Sequence, residues 1–214
     1  PNPIERMKAL KTPEEINLIS DAMIKDGVAL VRFFAWLDRN LGKEEMTEQS
    51  LADKLLFFRK SLPGYISLSF ETISAFGSNA ALPHYQPDKS GGAPIKDNGF
   101  LLIDSGAQFP EGTTDITRTV AIGGEVPVEQ RRFFTLVLKG MIAISLARFP
   151  KGTRGSQLDI LARQYLWADG VDYAHGTGHG VGTYLAVHEG PQRIATFGGG
   201  DEPLRAGMFL SNEP

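Results

Sequence analysis

The segment FLLIDSGAQFPEGTTDITRTVAIG, residues 100–123, decides the fold. It opens with FLLID at 100–104, a short apolar run that is typical of a buried strand. FPEG at 109–112 has the composition of a turn. In TTDITRTVAIG, residues 113–123, threonine and arginine alternate with apolar residues, as in a half-buried strand. Two strands joined by a short turn predict an antiparallel hairpin.

Two aspartates lie on this hairpin. If the turn is centred between Phe109 and Pro110, Asp104 lies directly opposite Asp115. Opposed side chains are about 5 Å apart at Cβ, where like charges are destabilising, and aspartate is a poor strand former. A cation would remove that cost, and two metal ions roughly 3.5–4 Å apart would use one carboxylate as a bridge. The alternative is that Asp104 ends a strand and Asp115 caps a turn, and these two residues alone leave both interpretations open.

The order of predicted elements indicates the fold class. KTPEE at 11–15 opens the first helix, with Thr12 as cap, Pro13 in the first turn and Glu15 as the reciprocal capping partner. Two runs of helix, helix and strands favour an α+β fold of two similar halves around one mixed or antiparallel sheet. The other predicted elements are a linker over 1–11, the end of the first helix at Gly42, a helix from Thr47 to Pro63, strand residues 65–77, a loop over 86–99, a helix from Pro127, a helix over 156–167, and a glycine-rich segment with short strands over 171–214.

The composition excludes several classes of protein. The chain has 214 residues, 42% of them hydrophobic, and a net charge of −3, which suits a globular fold with a sizeable core. The absence of a basic block argues against nucleic-acid binding, and the absence of cysteine excludes disulfides and thiolate metal sites. No stretch has the roughly 18 apolar residues of a membrane span, and PNPIERMKALK has no apolar signal core. We therefore expect a cytoplasmic protein without a membrane or nucleic-acid partner.

The histidines are concentrated in one part of the sequence. Three of the four, His175, His179 and His188, lie close together, and His84 lies in ALPHY after a β-rich run. A single histidine is usually a surface or satisfied interior residue. The glycines of HGTGHGVG, however, indicate a backbone that passes close to a ligand or another strand. A helical HExxH zinc pair is excluded, because the glycines disfavour a helix and Gly176 stands where the motif needs glutamate.

Glu213 follows an apolar run in FLSNEP, residues 209–214. By itself this carboxylate could be a surface residue, or a further metal ligand and proton acceptor. Taken together, DSGAQ with GTTDITRT, HGTGHGVG with VHEGP, and NEP resemble the catalytic domain of Xaa-Pro aminopeptidases, in the wider family of methionine aminopeptidases, prolidases and creatinases. The resemblance covers about residues 7–214. It implies the pita-bread fold, two pseudo-symmetric halves around a curved sheet, and a catalytic domain over 12–214.

The resemblance also implies a set of metal ligands. Asp104 would bind one metal ion, Asp115 would bridge two, and His179 and Glu213 would bind the other. The implied metal is Mn²⁺, with Zn²⁺ or Co²⁺ as alternatives. An oxygen-rich set of ligands with a single imidazole favours a hard octahedral ion in the same way.

The implied reaction is hydrolysis of the bond between an N-terminal residue and a following proline by a metal-bridging water. Glu213 would accept a proton from that water, His84 and His188 would stabilise the tetrahedral intermediate, and His175 would shape the substrate pocket. The alternatives are a prolidase, a creatinase-like C–N hydrolase, and a relative that binds peptides without catalysis. The resemblance also leaves a homodimer open.

The chain departs from the family pattern at its end. Family members carry a further bridging glutamate on a strand after the EP of the last motif, whereas this sequence ends at Pro214. Glu202 lies in a loop of glycine, aspartate and proline and is not accepted as a substitute. The N-terminal domains of the family are also outside this sequence. We therefore expect a C-terminally truncated catalytic domain that, in isolation, binds metal weakly and turns over poorly.

Overall fold

The computed structural model describes residues 2–88, 90–96 and 98–214. The chain forms two compact units: unit 1 is Pro1–Ile16 with Pro127–Pro214, and unit 2 is Asn17–Val126. The elements in chain order are α1 (Pro3–Ala9), α2 (Pro13–Asn40), α3 (Glu48–Lys60), β1 (Ser67–Phe76), a 3-10 helix (Gly77–Ala81), β2 (Asn98–Phe109), β3 (Gly112–Thr113), β4 (Ile116–Gly123), α4 (Val128–Ser145), α5 (Gly155–Trp167), β5 (Gly178–His179) and β6 (Arg193–Ile194).

The predicted α+β class is confirmed, since each unit has helices followed by paired strands. The sequence predicts mixed or antiparallel strand pairing, and every pairing of named strands among the described residues is antiparallel. Within the described ranges, no helix is both long and apolar enough to cross a membrane.

Unit 2 packs helices α2 and α3 on an antiparallel sheet. Strand β2 pairs with β1 on one side and with β3 and β4 on the other. The core between helices and sheet is apolar and buried, because one stripe of each helix faces alternate residues of the strands. Its members are Ala29, Leu30, Phe33, Leu37, Met46, Leu51, Leu55, Phe76, Leu101, Ile103, Ile116 and Ile122.

The helix ends follow from capping residues. Thr12 and Glu15 form the predicted capping box of α2: the Thr12 amide donates to Glu15 Oε2 at 2.8 Å, and the Glu15 amide donates to Thr12 Oγ1 at 3.2 Å. Thr47 caps α3 through a reciprocal pair of hydrogen bonds with Ser50. Gly42 follows α2 with φ at 75°, in the left-handed region that favours glycine after a helix.

The hairpin is present, but its predicted register is wrong by two residues. The last pair is Phe109 with Gly112, because the proline of FPEG takes the first turn position and centres the turn one residue later than predicted. Asp104 therefore faces Thr117 and not Asp115. A shift of two residues keeps a side chain on the same face of the sheet. Asp115 is consequently a diagonal neighbour of Asp104 instead of its direct partner.

In unit 1, the short strands β5 and β6 come after helices α4 and α5 in the chain. In the pairing of β5 with β6, Gly178 faces Ile194 and His179 faces Arg193. An isolated bridge joins Gly180 to Leu210, so the C-terminal segment runs beside the strand that carries His179.

The segment 1–11, interpreted as a linker, contains helix α1. Asn2 caps this helix, since Asn2 Oδ1 accepts from the Ile4 amide at 2.7 Å. Lys11 follows the helix with its side chain buried against Glu189, 3.1 Å from Nζ to Oε1. These residues therefore pack within unit 1, and the proposed domain boundary at residue 12 stays a prediction.

Candidate functional site

Asp104 lies in β2 opposite Thr117 of β4. Its carboxylate accepts a hydrogen bond from the Thr117 hydroxyl, 2.8 Å from Oγ1 to Oδ1. The side chain is half-buried. A hydrogen bond of this kind orients a carboxylate in the way that neighbouring groups orient metal ligands.

Asp115 lies in a break between β3 and β4, and it is also half-buried. The break is held by Thr114, whose amide donates to the Ala107 carbonyl at 2.9 Å. The Ala107 amide donates in return to the Thr114 hydroxyl at 2.9 Å, while the Thr114 carbonyl accepts from Ser69 Oγ at 2.9 Å. The Thr114 side chain thus replaces a backbone acceptor of the ladder, and the main chain at Asp115 leaves the regular strand.

Gly106 makes this arrangement possible. A Cβ atom at position 106 would lie 2.0 Å from the Thr114 carbonyl oxygen and 2.1 Å from Ser69 Oγ. A side chain of any size is therefore excluded while Thr114 stays in place. The glycine of DSG therefore stands where the Thr114 carbonyl and the Ser69 hydroxyl leave no room for a side chain.

In unit 1, His179 and Glu213 contact each other directly. His179 Nε2 lies 3.0 Å from Glu213 Oε1, and His179 Nδ1 lies 3.0 Å from the Gly180 carbonyl oxygen. If Nδ1 carries the proton that this carbonyl accepts, a neutral ring presents its Nε2 lone pair to a carboxylate. That arrangement requires either a second proton or a cation shared by the two groups.

Glu213 is held by the backbone beside β5. Its amide donates to the Thr177 carbonyl at 2.8 Å, and its carboxylate accepts from the Ser211 hydroxyl. Burial alone would raise the pKa of Glu213, but with His179 Nε2 protonated the hydrogen bonds from His179 and Ser211 outweigh burial and place the pKa below its usual value of 4.5. Glu213 is thus ionised at neutral pH and can act as a ligand or a proton acceptor.

The other two histidines of this segment lie close by. The exposed His188 meets the ring of His179 edge to face, with ring centroids 4.3 Å apart and planes at 82°. His175 is half-buried and packs against Tyr173 with ring centroids 4.7 Å apart. Unit 1 therefore brings His179, His188 and Glu213 together, with His175 a few residues before them.

His84 lies in unit 2, exposed, in the turn after the 3-10 helix. The neighbouring Tyr85 hydroxyl donates to Glu48 Oε2 at 2.6 Å, and this hydrogen bond raises the pKa of Tyr85 to about 12. The fully buried Glu48 also accepts from the amides of Phe76 and Ala93, each at 2.7 Å. Glu48 therefore holds both ends of the segment that carries His84. The sequence does not mark Glu48 as a functional residue, because a glutamate in the first turn of a helix is ordinarily an exposed residue that complements the helix dipole.

The donor groups suit divalent cations. Unit 2 provides the carboxylates of Asp104 and Asp115 on one face of a strand pair, and unit 1 provides the imidazole–carboxylate pair of His179 and Glu213. Oxygen donors with one imidazole suit octahedral divalent ions, and the absence of cysteine excludes a thiolate site. The chemistry of the predicted ligands therefore fits such ions, while the assignment of each ligand stays a prediction.

Known proteins are similar to this chain over its whole length. Probable Xaa-Pro aminopeptidase P from Tuber melanosporum is 49% identical over 215 residues, covering 100% of this chain and 35% of that protein. The corresponding protein of Laccaria bicolor is 49% identical over 215 residues, covering 100% of this chain and 33% of that protein. The chain thus spans about a third of the length of the curated relatives it matches.

Solved structures give the same grouping. X-prolyl aminopeptidase from Caenorhabditis elegans, described as a cytosolic enzyme with a di-nuclear active site, superimposes with a TM-score of 0.93 at 45% identity, covering 100% of this chain and 34% of that chain. Prolidase from Pyrococcus furiosus superimposes with a TM-score of 0.81 at 29% identity, covering 97% of this chain and 57% of that chain. These similarities confirm the resemblance to Xaa-Pro aminopeptidases and the pita-bread fold. The sequence model of metallopeptidase family M24 matches residues 17–214, and the chain therefore belongs to that family.

Proposed function

We propose that this chain provides the catalytic site of a metal-dependent aminopeptidase that releases the N-terminal residue from peptides with proline in second place. The observation that carries the proposal is the contact of 3.0 Å between His179 Nε2 and Glu213 Oε1, with the other ring nitrogen directed at the Gly180 carbonyl. Such a pair suits a shared cation. The 49% identity to probable Xaa-Pro aminopeptidase P of Tuber melanosporum supports the substrate class.

Two divalent ions are part of the proposal. Asp104 would bind one ion, Asp115 would bridge both, and His179 and Glu213 would bind the other. Bound ions of this kind activate a water nucleophile and polarise the scissile carbonyl. The di-nuclear site described for the Caenorhabditis elegans enzyme supports the number of ions, and the oxygen-rich donors support Mn²⁺ over Zn²⁺ or Co²⁺.

The side chains move protons and stabilise charge. Glu213, ionised at neutral pH, accepts a proton from the attacking water and returns it to the departing proline nitrogen, which must be protonated as it leaves. His84 and His188 donate hydrogen bonds to the carbonyl oxygen as negative charge develops there. His175 contributes to the wall of the substrate pocket.

A prolidase is the second candidate. The prolidase of Pyrococcus furiosus matches 97% of this chain with a TM-score of 0.81, so the fold alone does not separate a dipeptidase from an aminopeptidase. The higher identity to the Caenorhabditis elegans aminopeptidase, 45% against 29%, favours the first candidate. We also propose a cytosolic location by analogy with that enzyme, and a homodimer stays a prediction that light scattering on the purified protein would test.

The test is a substrate panel on the full-length protein after chelation and reconstitution with Mn²⁺, Zn²⁺ or Co²⁺. The panel contains Xaa-Pro dipeptides, longer Xaa-Pro peptides, and creatine. We expect cleavage of the longer peptides, restored best by Mn²⁺. Cleavage of dipeptides alone would identify a prolidase and cleavage of creatine a creatinase-like hydrolase, while peptide binding without metal dependence would indicate a non-catalytic relative.

A further inference from the structure

A buried ion pair lies under the sheet of unit 2. Asp26 of α2 and Arg59 of α3 are both fully buried. Arg59 Nε donates to Asp26 Oδ1 at 2.7 Å, and Arg59 Nη2 donates to Asp26 Oδ2 at 2.8 Å. A buried pair of this kind is weak evidence for stability, because apolar residues of similar volume often stabilise a fold as well or better. Its presence therefore calls for another explanation.

The pair also contacts the residues next to the two aspartates of the hairpin. The Thr114 hydroxyl donates to Asp26 Oδ2 at 2.6 Å, and Thr114 directly precedes Asp115. Arg59 Nη2 donates to Ser105 Oγ at 3.0 Å, and Ser105 directly follows Asp104. One ion pair thus hydrogen-bonds to the side chains of the residues next to both aspartates.

Thr114 connects the pair to the break in the strand. Its hydroxyl donates to Asp26 and accepts from the Ala107 amide at 2.9 Å. The Thr114 hydroxyl, which accepts from the Ala107 amide, is therefore oriented by the buried carboxylate of Asp26. Charge-assisted hydrogen bonds of this kind are stronger and more directional than neutral ones. This relay links the residue directly before Asp115 to the buried ion pair.

The same arrangement recurs in unit 1. Asp159 and Arg163 of α5 are buried and paired, 2.6 Å from Arg163 Nε to Asp159 Oδ2. The Thr177 hydroxyl donates to Asp159, and the Thr177 carbonyl accepts from the Glu213 amide at 2.8 Å. Thr177 lies two residues before His179. In each unit a buried aspartate–arginine pair thus reaches the predicted ligands through a threonine.

We propose that the Asp26–Arg59 pair is a positioning device for the metal-ligating carboxylates of unit 2, acting through Thr114 and Ser105. The Asp159–Arg163 pair has the same role for unit 1 through Thr177. The inference rests on the ligand roles proposed above and adds residues that contact neither metal nor substrate. Loss of such supporting groups typically weakens metal binding 10–100-fold.

The test is Mn²⁺ titration of the metal-free full-length protein, followed by the electron paramagnetic resonance signal of free Mn²⁺. Thr114→Val removes the hydroxyl at nearly constant volume and should weaken Mn²⁺ binding about 10–100-fold. Thr114→Ser keeps the hydroxyl and should restore binding. Thr72→Val is the matched control: Thr72 is buried in β1, and its hydroxyl has no hydrogen-bond partner among the described residues. This control should bind Mn²⁺ like the wild type.

Thermal unfolding of the metal-free protein distinguishes positioning from stability. A lower melting temperature for Thr114→Val with unchanged Mn²⁺ affinity would show a structural role only and would overturn the inference. Asp115→Ala in the same titration tests the ligand role: if it binds Mn²⁺ like the wild type, the proposed ligand set fails and the inference fails with it. Lost binding in Asp115→Ala beside full binding in Thr114→Val refutes only the positioning role.

If Thr114→Val does not fold, a second variant tests the same inference. Ser105→Ala removes the contact with Arg59 Nη2 and keeps the relay through Thr114. It should weaken Mn²⁺ binding several-fold, by analogy with other groups that support ligands. Wild-type affinity in a folded Ser105→Ala protein would overturn the inference.

Discussion

Replacing Gly106 by alanine should displace the segment that carries Asp115. The added Cβ would lie 2.0 Å from the Thr114 carbonyl oxygen, whereas real Cβ atoms essentially never approach closer than 3.0 Å. The difference, 3.0 − 2.0 = 1.0 Å, is the smallest displacement that relieves the contact. Because the obstacle is backbone and Thr114 adjoins Asp115, the displacement reaches the proposed bridging ligand.

Both stability and metal binding should respond. Overpacking of this kind costs about 3 kcal/mol, which corresponds to a melting temperature lower by roughly 6–12 °C in a chain of this size. Metal–ligand distances tolerate about 0.2 Å, so a shift of this size should weaken Mn²⁺ binding by at least roughly 100-fold.

The assay combines thermal unfolding without metal and Mn²⁺ titration at a temperature where the variant is folded. Gly27→Ala is the control, since an added Cβ in that part of α2 meets no atom within 4 Å. Alanine inside a helix should stabilise by about 0.5–1 kcal/mol and leave Mn²⁺ affinity unchanged. Wild-type melting and wild-type Mn²⁺ affinity for Gly106→Ala would refute the close approach of the strands at Thr114.

Three further predictions concern single residues. Although burial opposes it, hydrogen bonding to Tyr85 and to backbone amides places the pKa of Glu48 below 4.5. The stability that the Glu48 carboxylate contributes to the wild type should thus be fully present above pH 4.5 and lost as the pH falls through the lowered pKa. Glu48→Gln should have a lower melting temperature than the wild type at neutral pH, and this difference in melting temperature should shrink in acid. His179→Ala should abolish metal-dependent activity because it removes a ligand, whereas His188→Ala should lower turnover and retain Mn²⁺; an emptied metal site in His188→Ala would contradict this division. Thr177→Val should weaken Mn²⁺ binding about 10–100-fold while Thr177→Ser does not, and equal affinities in the same titration would count against the role of the Asp159 pair.

The sequence predicts the hairpin and the α2 capping box because both depend on residues a few positions apart. It misplaces the register, since that depends on where one proline enters the turn. Asp26 leaves a trace in the sequence: it falls on the buried stripe of α2, between Ala22 and Leu30, where a charge is unexpected. Its partner Arg59 lies on another helix, and no local pattern joins the two.

Repulsion between the hairpin carboxylates gives the buried pair a physical purpose. Diagonal neighbours on a sheet are about 7 Å apart, and two unit charges at that distance repel by about 2 kcal/mol at an effective dielectric constant near 20. Before metal binds, this repulsion acts on Asp115, which lies outside the regular ladder. A hydrophobic contact beneath Thr114 would resist it poorly, because hydrophobic attraction has no preferred direction. The hydrogen bond from Thr114 to the Asp26 carboxylate is directional. It therefore resists a lateral displacement of Thr114, and the metal-free strand keeps the geometry that the ions require.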